Sequence, residues 1–187
     1  MSDTKALPLA AIRYRRGFNV DELLLGSSAE LRSHGLRVGG IIQRSSGDRA
    51  ECASSIHAVD LRSGRTFSIW EQRGACASGC RLDERGLLDT EPAIMSALAD
   101  GVDLIVINRF GRAESQGRGL IECFSVAIGT GVPVLTAVRA PYDEAWREFH
   151  GGLGQELPTE MAAVTSWAKR AAHGAVHAAQ PPSLVHM

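Results

Sequence analysis

The chain has 187 residues, of which 44% are hydrophobic, 22% charged and 5% aromatic. That length suits one globular domain with a core of its own, and the apolar content excludes a disordered chain. Twenty basic residues against 21 acidic ones leave a net charge of −1, which gives no bulk attraction to nucleic acid or to an anionic membrane surface. No apolar run approaches the roughly 20 residues of a spanning helix, and charges interrupt the N-terminal stretch where a signal peptide needs an apolar core. The expectation is a cytoplasmic protein with no nucleic-acid or membrane partner: one domain over residues 1–175 and a flexible tail at 176–187.

Two finer counts say more. Eighteen of the 20 basic residues are arginine, Lys5 and Lys169 being the only lysines. Arginine bias follows from GC-rich coding DNA, and it also supplies planar forks suited to bidentate capture of oxyanions. The cysteines are Cys52, Cys76, Cys80 and Cys123. In a cytosolic chain they read as free thiols, and Cys76 with Cys80 lacks the second pair that a structural zinc site needs.

Leu7 to Tyr14 reads as a first strand, followed by the loop Arg15-Arg16-Gly17-Phe18. Asn19 caps a helix from Val20 to about His34, with Glu22 as its capping-box partner and Gly35 as the stop. Leu36 to Gln43 is a second strand whose paired glycines signal close backbone approach or a bulge. Ser45 to Ala53 is polar loop. Ser55 to Leu61 and Arg65 to Trp70 flank Arg62-Ser63-Gly64 and form a β-hairpin at the sheet edge. Glu71 to Cys80 is irregular, and Thr90 caps a helix over Glu91 to Ala99.

Val102 to Asn108 is a continuous apolar run of the kind found in buried parallel strands. The loop Arg109 to Gly119, a helix from Leu120 to Ile128 and a second buried strand, Val132 to Val138, follow. Tyr142 to Phe149 is a short amphipathic helix, Gly151 to Gln155 is flexible, and a last helix from Pro158-Thr159 reaches about Ala172 before a loose tail from His173. Alternating buried strands and helices predict a three-layer α/β fold around a mostly parallel sheet.

Ligands of open α/β sheets bind beyond the carboxyl ends of the strands. Three loops qualify here: Arg15 to Asn19, Arg109 to Gly119 and Arg139 to Tyr142. Each carries arginine, and helix N-termini beside them favour an anion. The middle loop is the richest, with Arg109, Arg112 and Arg118, three glycines and Glu114, which is suited to orient an arginine or accept a ligand hydroxyl. A solvated, salt-bridged loop is the plainer reading. Ser78, Gly79, Cys80 and Arg81 look like a backbone nest with an arginine. Cys80 beside Arg81 also has the setting of a low-pKa thiol. His173 and His177, at helical spacing, read as a solvated face.

Absent motifs narrow the choice. There is no G-x-x-x-x-G-K-[ST] and no G-x-G-x-x-G. Where a phosphate loop belongs, the chain offers Arg13-Tyr14-Arg15-Arg16-Gly17-Phe18-Asn19, without the lysine or the serine or threonine that serve phosphate and magnesium. The buried strand ends in Asn108, where a nucleotide hydrolase carries a metal-holding acid.

The stretches Leu36 to Gln43, Cys80 to Asp83, Asn108 to Glu114 with Gly117 to Leu120, Pro133 to Val138, and Trp146 with Phe149 together resemble a bacterial family of uncharacterised proteins associated with molybdate-transport genes. The similarity runs from about Leu9 to Leu157. That family in turn is similar to the small P-loop nucleoside triphosphatases of thermophiles, with the phosphate loop reduced to Arg15, Arg16 and Gly17 and the acidic pair replaced by Asn108 and Arg109. The resemblance implies a degenerate P-loop NTPase scaffold that binds an oxyanion, molybdate or tungstate, with no magnesium-nucleotide and no catalytic residue.

On this reading Arg109, Arg112, Arg118 and Arg139 supply charge-assisted hydrogen bonds. Backbone N–H groups near Gly79 and Gly111, with Ser78, Cys80, Arg81, Asn108 and Glu114, complete the shell. The expected role is carriage, storage or sensing. The alternative is a nucleotide-binding enzyme, a residual NTPase or a transferase, with Glu114 as its base. A third reading is a scaffold that acts through molybdenum-pathway proteins or as a homo-oligomer, with Trp146, Phe149 and Trp167 as core residues or interface anchors.

Overall fold

The computed structural model describes residues 6–46, 55–71 and 81–179. Strand β1 (Leu9–Arg13) runs into the polar tip Arg15–Phe18 and then into helix α1 (Val20–Ser33). Asn19 caps α1 by accepting the Glu22 N–H at 3.4 Å, and Gly35 leaves the helix with φ +85°. Strand β2 (Val38–Ser46) lies parallel to β7 (Leu104–Ile107). Gly40 makes their close approach possible: at φ +105°, a Cβ there would fall 2.0 Å from the Val106 carbonyl oxygen.

The hairpin β3 (Ser55–Asp60) and β4 (Thr66–Ser68) pairs antiparallel onto β2. Its turn is held by the Asp60 carboxylate, which accepts from Arg62 N–H at 3.0 Å and Ser63 N–H at 3.3 Å. After β5 (Trp70–Glu71), β6 (Arg81–Leu82) and α2 (Glu84–Leu88) comes α3 (Glu91–Ala99). Thr90 does not cap α3; its hydroxyl donates back to the Leu87 carbonyl at 2.6 Å.

Beyond β7 lie α4 (Arg112–Ser115), α5 (Ile121–Gly129) and β8 (Val134–Val138). The chain closes with α6 (Asp143–His150), β9 (Gly154–Leu157) and α7 (Met161–Ala179). The main sheet has the order β4-β3-β2-β7-β8-β1-β9. The five strands from β2 to β9 are mutually parallel, and the hairpin adds two antiparallel strands at one edge.

Each sheet face has its own core. One packs Ile94, Ile105, Phe110, Phe124 and Trp146 beneath α3, α5 and α6. The other packs Ile12, Leu24, Leu31, Val106, Val164 and Trp167 beneath α1 and α7. Both tryptophans are fully buried and Phe149 packs on Phe110, Phe124 and Trp146. Trp146 and Trp167 are therefore core residues and not interface anchors.

Two expectations need correction. Residues 154–157 are not a flexible stretch: β9 pairs in parallel with β1 from Leu9↔Gly154 to Ile12↔Leu157. The last helix does not stop at Ala172; it continues through His173 to Ala179. No proline interrupts 161–179 and alanine dominates its end, so helix propensity favours its continuation.

Candidate functional site

The carboxyl ends of β1, β7 and β8 open together at one edge of the sheet, and a cavity of about 480 Å³ lies beyond them. Tyr14 enters it from the end of β1, and Gln43 from β2. The segment after β7 supplies Arg109 to Glu114 and Arg118, the segment after β8 supplies Arg139 and Tyr142, and α2 closes a side with Glu84 and Leu87. Arg109, Arg112, Arg118 and Arg139 thus share one cavity, although 30 residues of sequence separate the first from the last.

Their electrostatic situations differ. The Arg109 guanidinium is engaged by Asp21, with Nη2 2.9 Å from Oδ1 and 3.1 Å from Oδ2. Its Nη1 donates to the Tyr14 hydroxyl at 2.6 Å, and the same guanidinium sits 5.6 Å from the Tyr14 ring centroid. Asn108 is fully buried and donates its Nδ2 to Asp21 Oδ1 at 2.7 Å. Asp21 is thus an internal anion, held where the first turn of α1 meets the end of β7. Arg118 pairs with Glu84 at 3.3 Å and also donates to Gln116. Arg139 has one weak contact, Nη1 to its neighbour's carbonyl Ala140 O at 3.4 Å. Arg112 is exposed and its guanidinium has no partner among the described residues.

Glu114 is 5% exposed and works inward. Its Oε2 accepts the Gly111 N–H at 3.0 Å, and its Oε1 accepts the Leu120 N–H at 3.2 Å. Burial pushes its carboxyl above the ordinary glutamate range, an effect the backbone donors partly oppose. Gly119, at φ +62°, lies directly against it: a Cβ there would stand 2.3 Å from Glu114 Oε1. The carboxylate therefore clamps both ends of the 111–120 loop.

Several expected site residues fall elsewhere. Arg15, Arg16 and Gly17 are exposed and lie outside the cavity wall, because Phe18 N–H closes a turn onto the Arg15 carbonyl at 3.1 Å and Gly17 reverses the chain at φ +95°. The Gly111 N–H, expected to face a ligand, is taken by Glu114. Asn108 turns toward Asp21 and is not part of the wall. Ser78, Gly79, Cys80, Cys52 and Cys76 lie outside the described residues, as does the Arg81 side chain. Cys123 is the described cysteine; burial pushes its thiol up to about 12, so it stays protonated and unreactive. Among the described residues no three His, Cys, Asp or Glu side chains gather to hold a metal ion.

The sequence reading missed Asp21, Tyr14, Gln43 and Glu84, and had Tyr142 only as the end of the loop from Arg139. Asp21 had a signal: it is an acid in the first turn of the helix that opens the expected phosphate position, where Arg109 and the buried Asn108 meet it. The other three had none beyond polarity.

Comparison with known proteins places these features in a family. Residues 9–167 match the family described as "Protein of unknown function (DUF2478)". The chain belongs to this family. A protein of Bradyrhizobium diazoefficiens named "Molybdenum import ATP-binding protein ModC 2" is 43% identical to it over 159 residues. Those residues make up 85% of this chain and 18% of that protein, so the chain corresponds to a minor part of a much longer relative.

A solved structure titled "Solution Structure of a Human Cancer-Related Nucleoside Triphosphatase" superposes with a TM-score of 0.58 at 16% identity, covering 92% of this chain and 97% of the other. The expected three-layer α/β fold, a mostly parallel sheet with a β-hairpin at its edge, is the fold found, and that nucleoside triphosphatase shares it. Among the described residues no helix is long and apolar enough to cross a membrane.

Proposed function

We propose that this protein binds a small oxyanion, molybdate or tungstate, in the cavity beyond β1, β7 and β8, and holds it without cleaving a phosphate bond. The observation that carries the reading is the sharing of one cavity by Arg109, Arg112, Arg118 and Arg139 where the sequence has no phosphate-loop lysine and no serine or threonine for magnesium between residues 13 and 21. Guanidinium forks match the edges of a tetrahedral oxyanion and stay charged at any physiological pH. The 43% identical stretch inside a protein named for molybdenum import supports molybdenum as the metal. It also supports a partner, an importer's ATP-binding subunit, with carriage, storage or sensing of the anion as the role.

A magnesium-nucleotide does not suit these residues. Residues 13–21 offer a triphosphate no lysine and its magnesium no serine or threonine, and Asn108 ends the strand where a metal-holding acid is needed. The alternative of an enzyme with Glu114 as base is less favoured, since both Glu114 oxygens already accept backbone N–H groups within the loop. Isothermal titration calorimetry with molybdate, tungstate, sulfate, phosphate and magnesium-ATP tests the reading. Salt-sensitive binding of molybdate and tungstate, with no phosphate release from ATP, is the expected result. No oxyanion binding at millimolar concentration, or magnesium-ATP hydrolysis above background, overturns it.

A further inference from the structure

The four cavity arginines are not equivalent, and their differences assign them separate work. We propose that the anion is read by Arg112 and Arg139, while Arg109 and Arg118 are wall components whose charge is already spent; the proposal rests on the oxyanion reading above. The argument is a balance of charges. Arg109 is neutralised by Asp21 at 2.9 and 3.1 Å and further held by the Tyr14 hydroxyl. Arg118 is neutralised by Glu84 at 3.3 Å. Glu114 is turned into its own loop and satisfied there.

What remains facing the cavity is Arg112, without a partner among the described residues, and Arg139, with one long contact to a neighbouring carbonyl. They come from different segments, one from α4 after β7 and the other from the turn after β8. Two uncompensated guanidinium groups match two negative charges. Each fork takes two oxygens, so the pair accounts for the four oxygens of a tetrahedral dianion. Gln43, 8% exposed and on the same wall, adds an amide donor. The ligand class is therefore a tetrahedral dianion in preference to a monoanion or a polyphosphate. A bare monoanion leaves one guanidinium unpaired, and a polyphosphate carries more negative charge than two guanidinium groups balance.

The test compares Arg112→Gln, Arg139→Gln and Arg118→Gln in the full chain by calorimetric titration with sodium molybdate, with sodium perchlorate as the tetrahedral monoanion. Among the described residues Arg112 and Arg139 have no ion-pair partner to orphan, so both variants are expected to fold, which circular dichroism and the urea midpoint check. Arg112→Gln and Arg139→Gln each lower molybdate affinity by about ten- to 100-fold, whereas Arg118→Gln lowers it less than about threefold. Arg112→Lys, which keeps charge without the fork, falls in between. Molybdate affinity that survives both Arg112→Gln and Arg139→Gln, an Arg118→Gln loss as large as theirs, or perchlorate bound as tightly as molybdate overturns this assignment while leaving the oxyanion reading standing. Absence of molybdate binding in the unaltered protein overturns both.

Discussion

Two clefts among the described residues are lined by arginine, and they behave differently. The first is the cavity beyond β1, β7 and β8. The second, about 300 Å³, lies near the amino ends of β2 and β7 and is lined by Arg32, Arg37 and Arg62 with Leu36, Val38, Leu61 and Val102. Every guanidinium of the second cleft is engaged. Arg32 donates to the carbonyls of Val38, at 2.8 Å, and Leu61. Arg37 pairs with Asp103 at 2.7 Å, and Arg62 with Asp100 at 2.6 Å. Those arginines tie α1, the hairpin and the α3–β7 turn to the sheet. In the first cleft two of the four are engaged by carboxylates among the described residues. On the proposed reading, an anion site is marked by the arginines left without an anion and not by the number of arginines.

The contrast can be broken most forcefully at Glu114. Glu114→Ala removes the acceptor for two backbone N–H groups, one of them at the buried Leu120. It is expected to cost about 2 to 4 kcal/mol of stability, read as a fall in the urea midpoint. A midpoint unchanged from the unaltered protein contradicts the clamp.

Asp21→Asn sharpens the contrast from the other side. It keeps the shape of the Arg109 contact and removes its charge, releasing a third guanidinium to the cavity. Molybdate affinity should rise by about three- to tenfold, measured by calorimetry at low salt. A loss of affinity would mean that Asp21 supports the anion through Arg109 and does not compete with it.

The smallest effects belong to the second cleft. Arg37→Gln and Arg62→Gln should leave molybdate affinity unchanged, since their charges are already balanced by Asp103 and Asp100. The two clefts also separate by pH. The Arg37 hydrogen bond holds the Asp103 carboxyl below its ordinary value of 3.8, so the folded chain binds that proton less readily than the unfolded chain. Its stabilisation is full above the ordinary value and is lost as pH falls through the depressed one. Glu114 has the opposite sign. Its raised folded pKa means stability declines as pH climbs from its ordinary value of 4.5 toward the folded value. Urea midpoints across that acid range should show the falling component in the unaltered protein and not in Glu114→Gln.

The fold was legible where local and global signals agreed. The apolar runs at 102–108 and 132–138 became the fully buried β7 and β8. Asn19, Gly35, Gly40 and the Arg62-Ser63-Gly64 turn all act as their chemistry requires. Strand β9 was not legible, because Gly154-Gln155-Glu156-Leu157 has too little apolar character to announce a strand. It exists because the edge of β1 offers it hydrogen bonds.

The arginine loops were legible as a group, since topology brings the ends of β7 and β8 together. Which arginines stay uncompensated was not, because Asp21 meets Arg109 across 88 residues of sequence and Glu84 meets Arg118 across 34. Pairings of that range are set by the packed sheet. The exposure of Arg15 and Arg16 was missed for a related reason: their position by analogy with a phosphate loop says nothing about a tip that closes on itself through Phe18.

The most direct test of the central claim is the anomalous scattering of tungsten in crystals of the full chain grown with tungstate. The account predicts one strong peak in the cavity beyond β1, β7 and β8, within hydrogen-bonding reach of the Arg112 and Arg139 guanidinium groups. A peak in the Arg32–Arg37–Arg62 cleft, or crystals with no tungsten bound at millimolar tungstate, would contradict it.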